Sequence, residues 1–93
     1  SRSAPVLYRP THPNCGKNGT IFEHVLVMSQ MLGRPLKAGE NVHHKNGLRA
    51  DNRPENLELW TTQQPAGQRV EDILAWCKAY IAEYEPVASI IRR

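Results

Sequence analysis

Hydrophobic residues change their spacing along the chain, and each change predicts an element. Residues 1–19 carry Pro5, Pro10, Pro13, Gly16 and Gly19 among polar side chains. That mixture predicts an irregular arm with at most a short strand at Val6-Leu7-Tyr8. Asn18-Gly19 is a turn signal, and the β-prone Thr20-Ile21-Phe22 behind it predicts a small hairpin with the segment at Tyr8. Glu23 to Leu32 contains no Gly or Pro. Val25, Met28 and Leu32 share one helical face there, and Val27 with Met31 widens it. A mostly buried helix is expected, stopped by Gly33 with Pro35 just beyond.

The second half changes period twice. Leu36 to Gly39 reads as a connector, and Asn41-Val42-His43-His44 is short and β-capable. Lys45 to Glu55 is a polar loop punctuated by Asn46-Gly47 and Arg53-Pro54. Leu57-Glu58-Leu59-Trp60 alternates apolar and polar, which predicts a strand with Leu57 and Leu59 on one side. It is expected to pair with residues 41–44 in a hairpin whose loop is unusually long. Pro65 suits the first turn of a helix. Val70, Ile73, Leu74, Cys77, Ile81 and Tyr84 then recur at helical spacing, so a long helix should run to about Tyr84 and end at Pro86. Trp60, Trp76, Met28 and Met31 read as core residues. Residues 87–93, apolar then basic, receive no assignment.

Composition narrows the class. A chain of 93 residues with 40% hydrophobic and 23% charged residues fits one ordinary globular domain. No apolar run approaches the roughly eighteen residues that a membrane span needs, and no segment resembles a signal peptide. The expected setting is the cytoplasm of a bacterial or phage-infected cell. Formal net charge is +3 and the sequence pI about 9.1. This permits nucleic acid as a partner without demanding it. The basic residues gather about the middle of the chain, at Arg34, Lys37, Lys45, Arg49, Arg53 and Arg69. Cys15 and Cys77 form no C-x-x-C pair, which excludes a four-thiolate zinc knuckle. Counting alone permits a disulfide between them; compartment statistics favour two reduced thiols.

The residues most useful for chemistry lie together in Val42-His43-His44-Lys45-Asn46-Gly47 and Asp51-Asn52-Arg53-Pro54-Glu55-Asn56-Leu57. Adjacent histidines on a strand point to opposite faces, so they suit different tasks. Neutral imidazole serves as a metal ligand or as a base near pH 7. Phosphodiester hydrolysis requires an activated water, neutralisation of phosphoryl charge and help for the leaving oxygen. Lys and Arg nearby suit the DNA backbone.

These two segments, continued through Glu58-Leu59-Trp60, resemble the signature of the HNH endonucleases, in the version common in phage and homing endonucleases. Glu23-His24-Val25-Leu26-Val27-Met28, Leu32-Gly33-Arg34-Pro35-Leu36 and Gly67-Gln68-Arg69-Val70-Glu71-Asp72 resemble the flanking segments of that group. The likeness spans about residues 18–84, with an echo in Tyr8 to Asn14. It implies an α+β fold of the ββα-metal (His-Me finger) type, with a preceding buried helix and a long C-terminal helix. The expected organisation is an N-terminal arm over 1–17, an HNH domain over 18–85 and a tail over 86–93.

The resemblance also implies roles. His44 falls where the family places its general base, and His43 where it places a metal ligand. Asn56 falls on the central Asn that ties the loop and orients the base. The third signature position, usually His or Asn, falls at Pro65, which has no ligating side chain. Gln64 and Gln68, four apart, are the nearest replacements. Amide oxygens suit hard cations, so the expected cofactor is one divalent ion, Mg²⁺ or Mn²⁺ first, with Ni²⁺ or Zn²⁺ as alternatives. Lys45, Arg53 and Arg69 are the candidates for contact with DNA, expected to be double-stranded and read with weak sequence specificity. Asn52 reads equally as a turn residue or a tether. His24 reads as a structural residue at the start of the first helix. Two functions follow: a metal-dependent DNA endonuclease, or a degenerate HNH domain that binds DNA or a protein without cutting.

Overall fold

The computed structural model describes residues 4–63 and 69–91. Strand β1 (Val6–Tyr8) pairs antiparallel with β2 (Thr20–Phe22), placing Tyr8 opposite Thr20. The expected small hairpin is therefore present. Gly19 sits at its turn with φ 80°, and a Cβ there would lie 2.8 Å from the Tyr8 ring. Both the left-handed backbone and the close ring require glycine.

Helix α1 (Glu23–Leu32) follows β2 directly. It ends at Gly33, whose φ of 73° lets its own N–H and that of Arg34 reach the Ser29 carbonyl at 2.9 and 3.2 Å. Met28 and Ser29 are buried, whereas most other positions are half-buried and Gln30 is exposed. The expected mostly buried helix is thus a one-sided one. Among the described residues the buried apolar core consists of Ile21, Met28 and Leu57, and so small a core covers only the face of α1 turned toward it.

The arm is fastened to this helix. The His12 Nδ1 accepts the Asn14 N–H at 3.0 Å, which leaves Nε2 to donate to the Ser29 hydroxyl at 3.1 Å; Ser29 donates in turn to the Leu26 carbonyl at 2.7 Å. The Asn14 amide closes a two-bond clamp on Leu36, donating to its carbonyl and accepting from its N–H.

Strand β3 (Glu40–His44) pairs antiparallel with β4 (Leu57–Thr61), placing His43 opposite Glu58 and His44 opposite Leu57. This is the hairpin that alternation and turn signals anticipate. A 3₁₀ turn over Pro54–Asn56 leads into β4. Trp60, expected in the core, is 53% exposed. The pleat puts Leu57 and Leu59 on one side, which forces Trp60 to the other.

Helix α2 (Val70–Ile91) is longer than the sequence suggests, because it runs through Pro86 instead of ending there. Pro86, Glu85 and Ala82 are all exposed. The Ala82 carbonyl that loses its helical donor can therefore bond water. Tyr84 on one side of the proline, and Val87 with Ala88 on the other, line a cavity of about 160 Å³ shared with Leu59, Trp60 and Thr61. Residues 86–91, expected as tail, belong to this helix. The molecule is elongated, 49 × 30 × 23 Å, as a helix of about 33 Å requires when it extends past a small body. No helix among the described residues is long and apolar enough to cross a membrane.

A buried carboxylate joins α1, β3 and α2. Glu40 receives the Arg34 guanidinium on both oxygens at 2.9 Å, the Lys37 N–H at 2.7 Å and the Tyr84 hydroxyl at 2.6 Å. Burial alone would raise its pKa. The bonds from Arg34, Lys37 and Tyr84 outweigh that and bring it from 4.5 to about 2. Its folded pKa lies below the unfolded one, so its stabilisation is complete above about pH 4.5 and disappears as pH falls through 2. Replacement by Glu40→Gln is expected to cost about 3 kcal/mol, because it strands the Arg34 charge. Urea denaturation at pH 7 measures that loss. The same titrations between pH 4.5 and 2 should show a shallower decline for the variant than for the parent protein.

Candidate nuclease site

The loop from Lys45 to Asn56 is held by polar side chains. Asn56 is buried, and its Nδ2 donates to the Asn46 Oδ1 at 2.9 Å and to the Asp51 carbonyl at 2.8 Å. Its Oδ1 accepts the Asn46 N–H at 3.3 Å, and its backbone carbonyl accepts the Lys45 N–H at 2.8 Å. Asn46 also donates from Nδ2 to Asp51 at 2.8 Å. The Arg53 guanidinium grips the same carboxylate at 2.7 and 2.9 Å and, with Asn46, holds it well below the usual carboxylate range. One end of the loop is thereby closed on the other, directly after His44.

The two histidines separate as neighbours on a strand must. His43 is exposed and lies flat on Trp60, with ring centroids 4.0 Å apart and planes 13° apart. His44 is half-buried on the opposite side. Its Nε2 lies 2.6 Å from the Asn52 Oδ1, and the Asn52 Nδ2 donates to the Glu23 carboxylate at 2.8 Å. The His24 ring meets the edge of His44 at 5.0 Å between centroids and stacks on Phe22 at 5.4 Å. Burial, together with electrostatic interaction with the neighbouring His44 and Arg49, lowers the His24 pKa from 6.5 and favours the neutral ring. His24, His43, His44 and Arg49 line one cleft of about 360 Å³ with Phe22, Val42 and Gly47.

Sequence reasoning placed His43, His44 and Asn56 in one neighbourhood, and they are together. It left Asn52 even between turn residue and tether, counted Arg49 only among the basic residues, and did not single out Glu23. Asn52 and Glu23 are 29 positions apart, so nothing local signals that they meet. Of the residues proposed for DNA, Lys45 is exposed. Arg53 is engaged with Asp51 and Glu55, and Arg69 with Asp72 and Glu71. Gln64 and Gln68 lie outside the described residues.

These arrangements coincide with a family match. Residues 22–66 match the family model described as HNH endonuclease. This segment belongs to the HNH endonuclease family. No curated protein and no solved structure matches the chain. The HNH segment takes in α1, the β3–β4 hairpin and its loop. HNH domains generally use a divalent metal. Among the described residues, however, no three His, Cys, Asp or Glu side chains lie together as a metal site. His43 is the described residue at the signature's metal-ligand position.

Replacing Asn56 with Ala should remove its side-chain bonds to Asn46 and to the Asp51 carbonyl, at about 1–3 kcal/mol. Hydrogen exchange should accelerate first at the Asn46 amide, which loses its acceptor. An unchanged rate at that amide would show that the loop is held without Asn56.

Proposed function

We propose that the protein is a DNA endonuclease that hydrolyses phosphodiester bonds with His44 as general base. The observation that carries this reading is the position of His44 on a cleft beside Arg49, with one ring nitrogen engaged by Asn52. Family membership of residues 22–66 supports a nuclease, with DNA as the substrate class.

The free ring nitrogen of His44 takes a proton from water, whose oxygen attacks phosphorus in line. A bond forms from that oxygen to phosphorus as the bond to the leaving 3′ oxygen breaks; the leaving oxygen is then protonated from solvent. Arg49 lies on the cleft as a point of attraction for the phosphate, and a guanidinium suits its paired oxygens. Lys45 is available for the DNA backbone. Arg53 and Arg69 must exchange their carboxylate partners to make such contacts. Asn56 acts on the reaction through the shape of the loop.

A divalent ion, when bound, supplies charge neutralisation at the phosphate and at the leaving oxygen. His43 holds the ligand position the resemblance implies, Gln64 or Gln68 is the nearest replacement for the third signature residue, and Mg²⁺ or Mn²⁺ is the ion that amide oxygens favour. Pro65, at the third signature position where the family usually has His or Asn, favours a second reading, an HNH domain that binds DNA or a protein partner without cutting.

Supercoiled plasmid incubated with the protein and Mg²⁺, Mn²⁺, Ni²⁺ or Zn²⁺ separates the two readings. The nuclease predicts relaxed or linear product that EDTA abolishes. DNA binding by folded protein without product under any of the four ions would support the binding domain instead. Arg49→Ala is expected to weaken DNA binding and to flatten the plot of log affinity against log salt by about one unit of slope. Fluorescence anisotropy across a salt series reads both.

A further inference from the structure

We propose that Glu23 and Asn52 are positioning residues that hold His44 in one tautomer, with the proton on Nε2 and the lone pair on Nδ1. The inference rests on the reading of His44 as a base and adds how that base is set.

The argument runs along a chain of hydrogen bonds. Glu23 opens α1, and its backbone N–H is fixed to the Pro5 carbonyl at 3.0 Å. A carboxylate only accepts, so facing the Asn52 amide at 2.8 Å it selects the NH₂ end. The amide oxygen must then face His44. An oxygen only accepts, so the His44 Nε2, 2.6 Å away, must carry the proton. Neutral imidazole has one N–H and one lone pair, which places the lone pair on Nδ1.

Glu23 is the element that makes this outcome unique. An Asn amide has a donor end and an acceptor end of nearly equal shape. Without the carboxylate, a flipped Asn52 would offer N–H to Nε2 and select the opposite tautomer, whose lone pair faces the amide instead of water. Both residues come from outside the strand that carries His44. Asn52 lies in the clamped loop and Glu23 at the head of α1, so the packing of the helix against the hairpin also sets the base.

Two measurements on the whole protein test this. Nitrogen-15 NMR of the His44 imidazole reports the proton's position without any substrate. The expected spectrum at neutral pH has a proton on Nε2, protected from exchange, and an unprotonated Nδ1. Glu23→Gln keeps an acceptor for Asn52 and should preserve this signature. Glu23→Leu should lose the protection while the amide spectrum stays that of a folded protein. In single-turnover cleavage, Glu23→Leu and Asn52→Leu should each be slower by about 10–100-fold, with DNA affinity unchanged. Glu23→Gln should remain within about threefold of the parent, well inside that loss.

A proton on Nδ1 of the parent protein overturns the proposal, as does a Glu23→Leu variant with an unaltered imidazole signature. Equal slowing by Glu23→Gln and Glu23→Leu would also overturn it, because charge and not orientation would then be the cause. If the parent protein cuts no DNA, the nuclease reading fails, and the NMR result still decides the orientation of His44. Where Glu23→Leu does not fold, the parent spectrum and the Glu23→Gln spectrum decide alone.

Discussion

Asn56 is 7% exposed, and its amide is committed on both ends within a single loop. A loop of that length between two strands is floppy by default, because loop closure is entropically unfavourable and little backbone pairing opposes it. Here the opposition comes from side chains. Asn46, Asp51, Arg53 and Asn56 bond to one another and bring the end of β3 beside the start of β4. The apolar residues buried among those described, Ile21, Met28 and Leu57, make too small a core to impose such order alone. Leu57 follows Asn56 directly, so the polar clamp and the apolar core meet at adjacent positions.

That meeting explains why the candidate site lies where it does. The hairpin register places His44 opposite Leu57 and hence at the edge of the core, while His43 faces outward beside Trp60. His44 is thus partly removed from water and within reach of both the loop and α1. The Glu40 network serves the other end of the same strand. Through Arg34 and Tyr84 it ties β3 to the end of α1 and to α2. β3 is therefore anchored at its start by an ion pair and at its end by amides. A base needs that rigidity, since an imidazole that rotates freely offers its lone pair in the wrong direction for much of the time.

Much of this was legible in the sequence, and the remainder shows where local reading stops. Turn signals and alternation located both hairpins, and the Gly33-Pro35 stop bounded α1. The pairing of residues 41–44 with 57–60 followed from the same patterns. Pro86 misled because its effect depends on what surrounds it: an exposed carbonyl that water can satisfy lets α2 continue. Trp60 misled because size suggested core while the pleat dictated the outer face. Asn52 and Glu23 could not be paired from sequence, since neither carries a local signature of the other. The same holds for the Tyr84 hydroxyl, which spacing assigned to an apolar face and which reaches Glu40 across 44 positions.

The central claim is that His44 acts on the chemical step and not on DNA binding. Single-turnover cleavage of an end-labelled duplex, with protein in excess and its affinity measured separately, tests it most directly. His44→Ala should bind the duplex as the parent does and cut it about 10²–10⁴-fold more slowly, the usual range for a lost general base. Cleavage by the variant at the parent rate, from the same bound complex, would contradict the account.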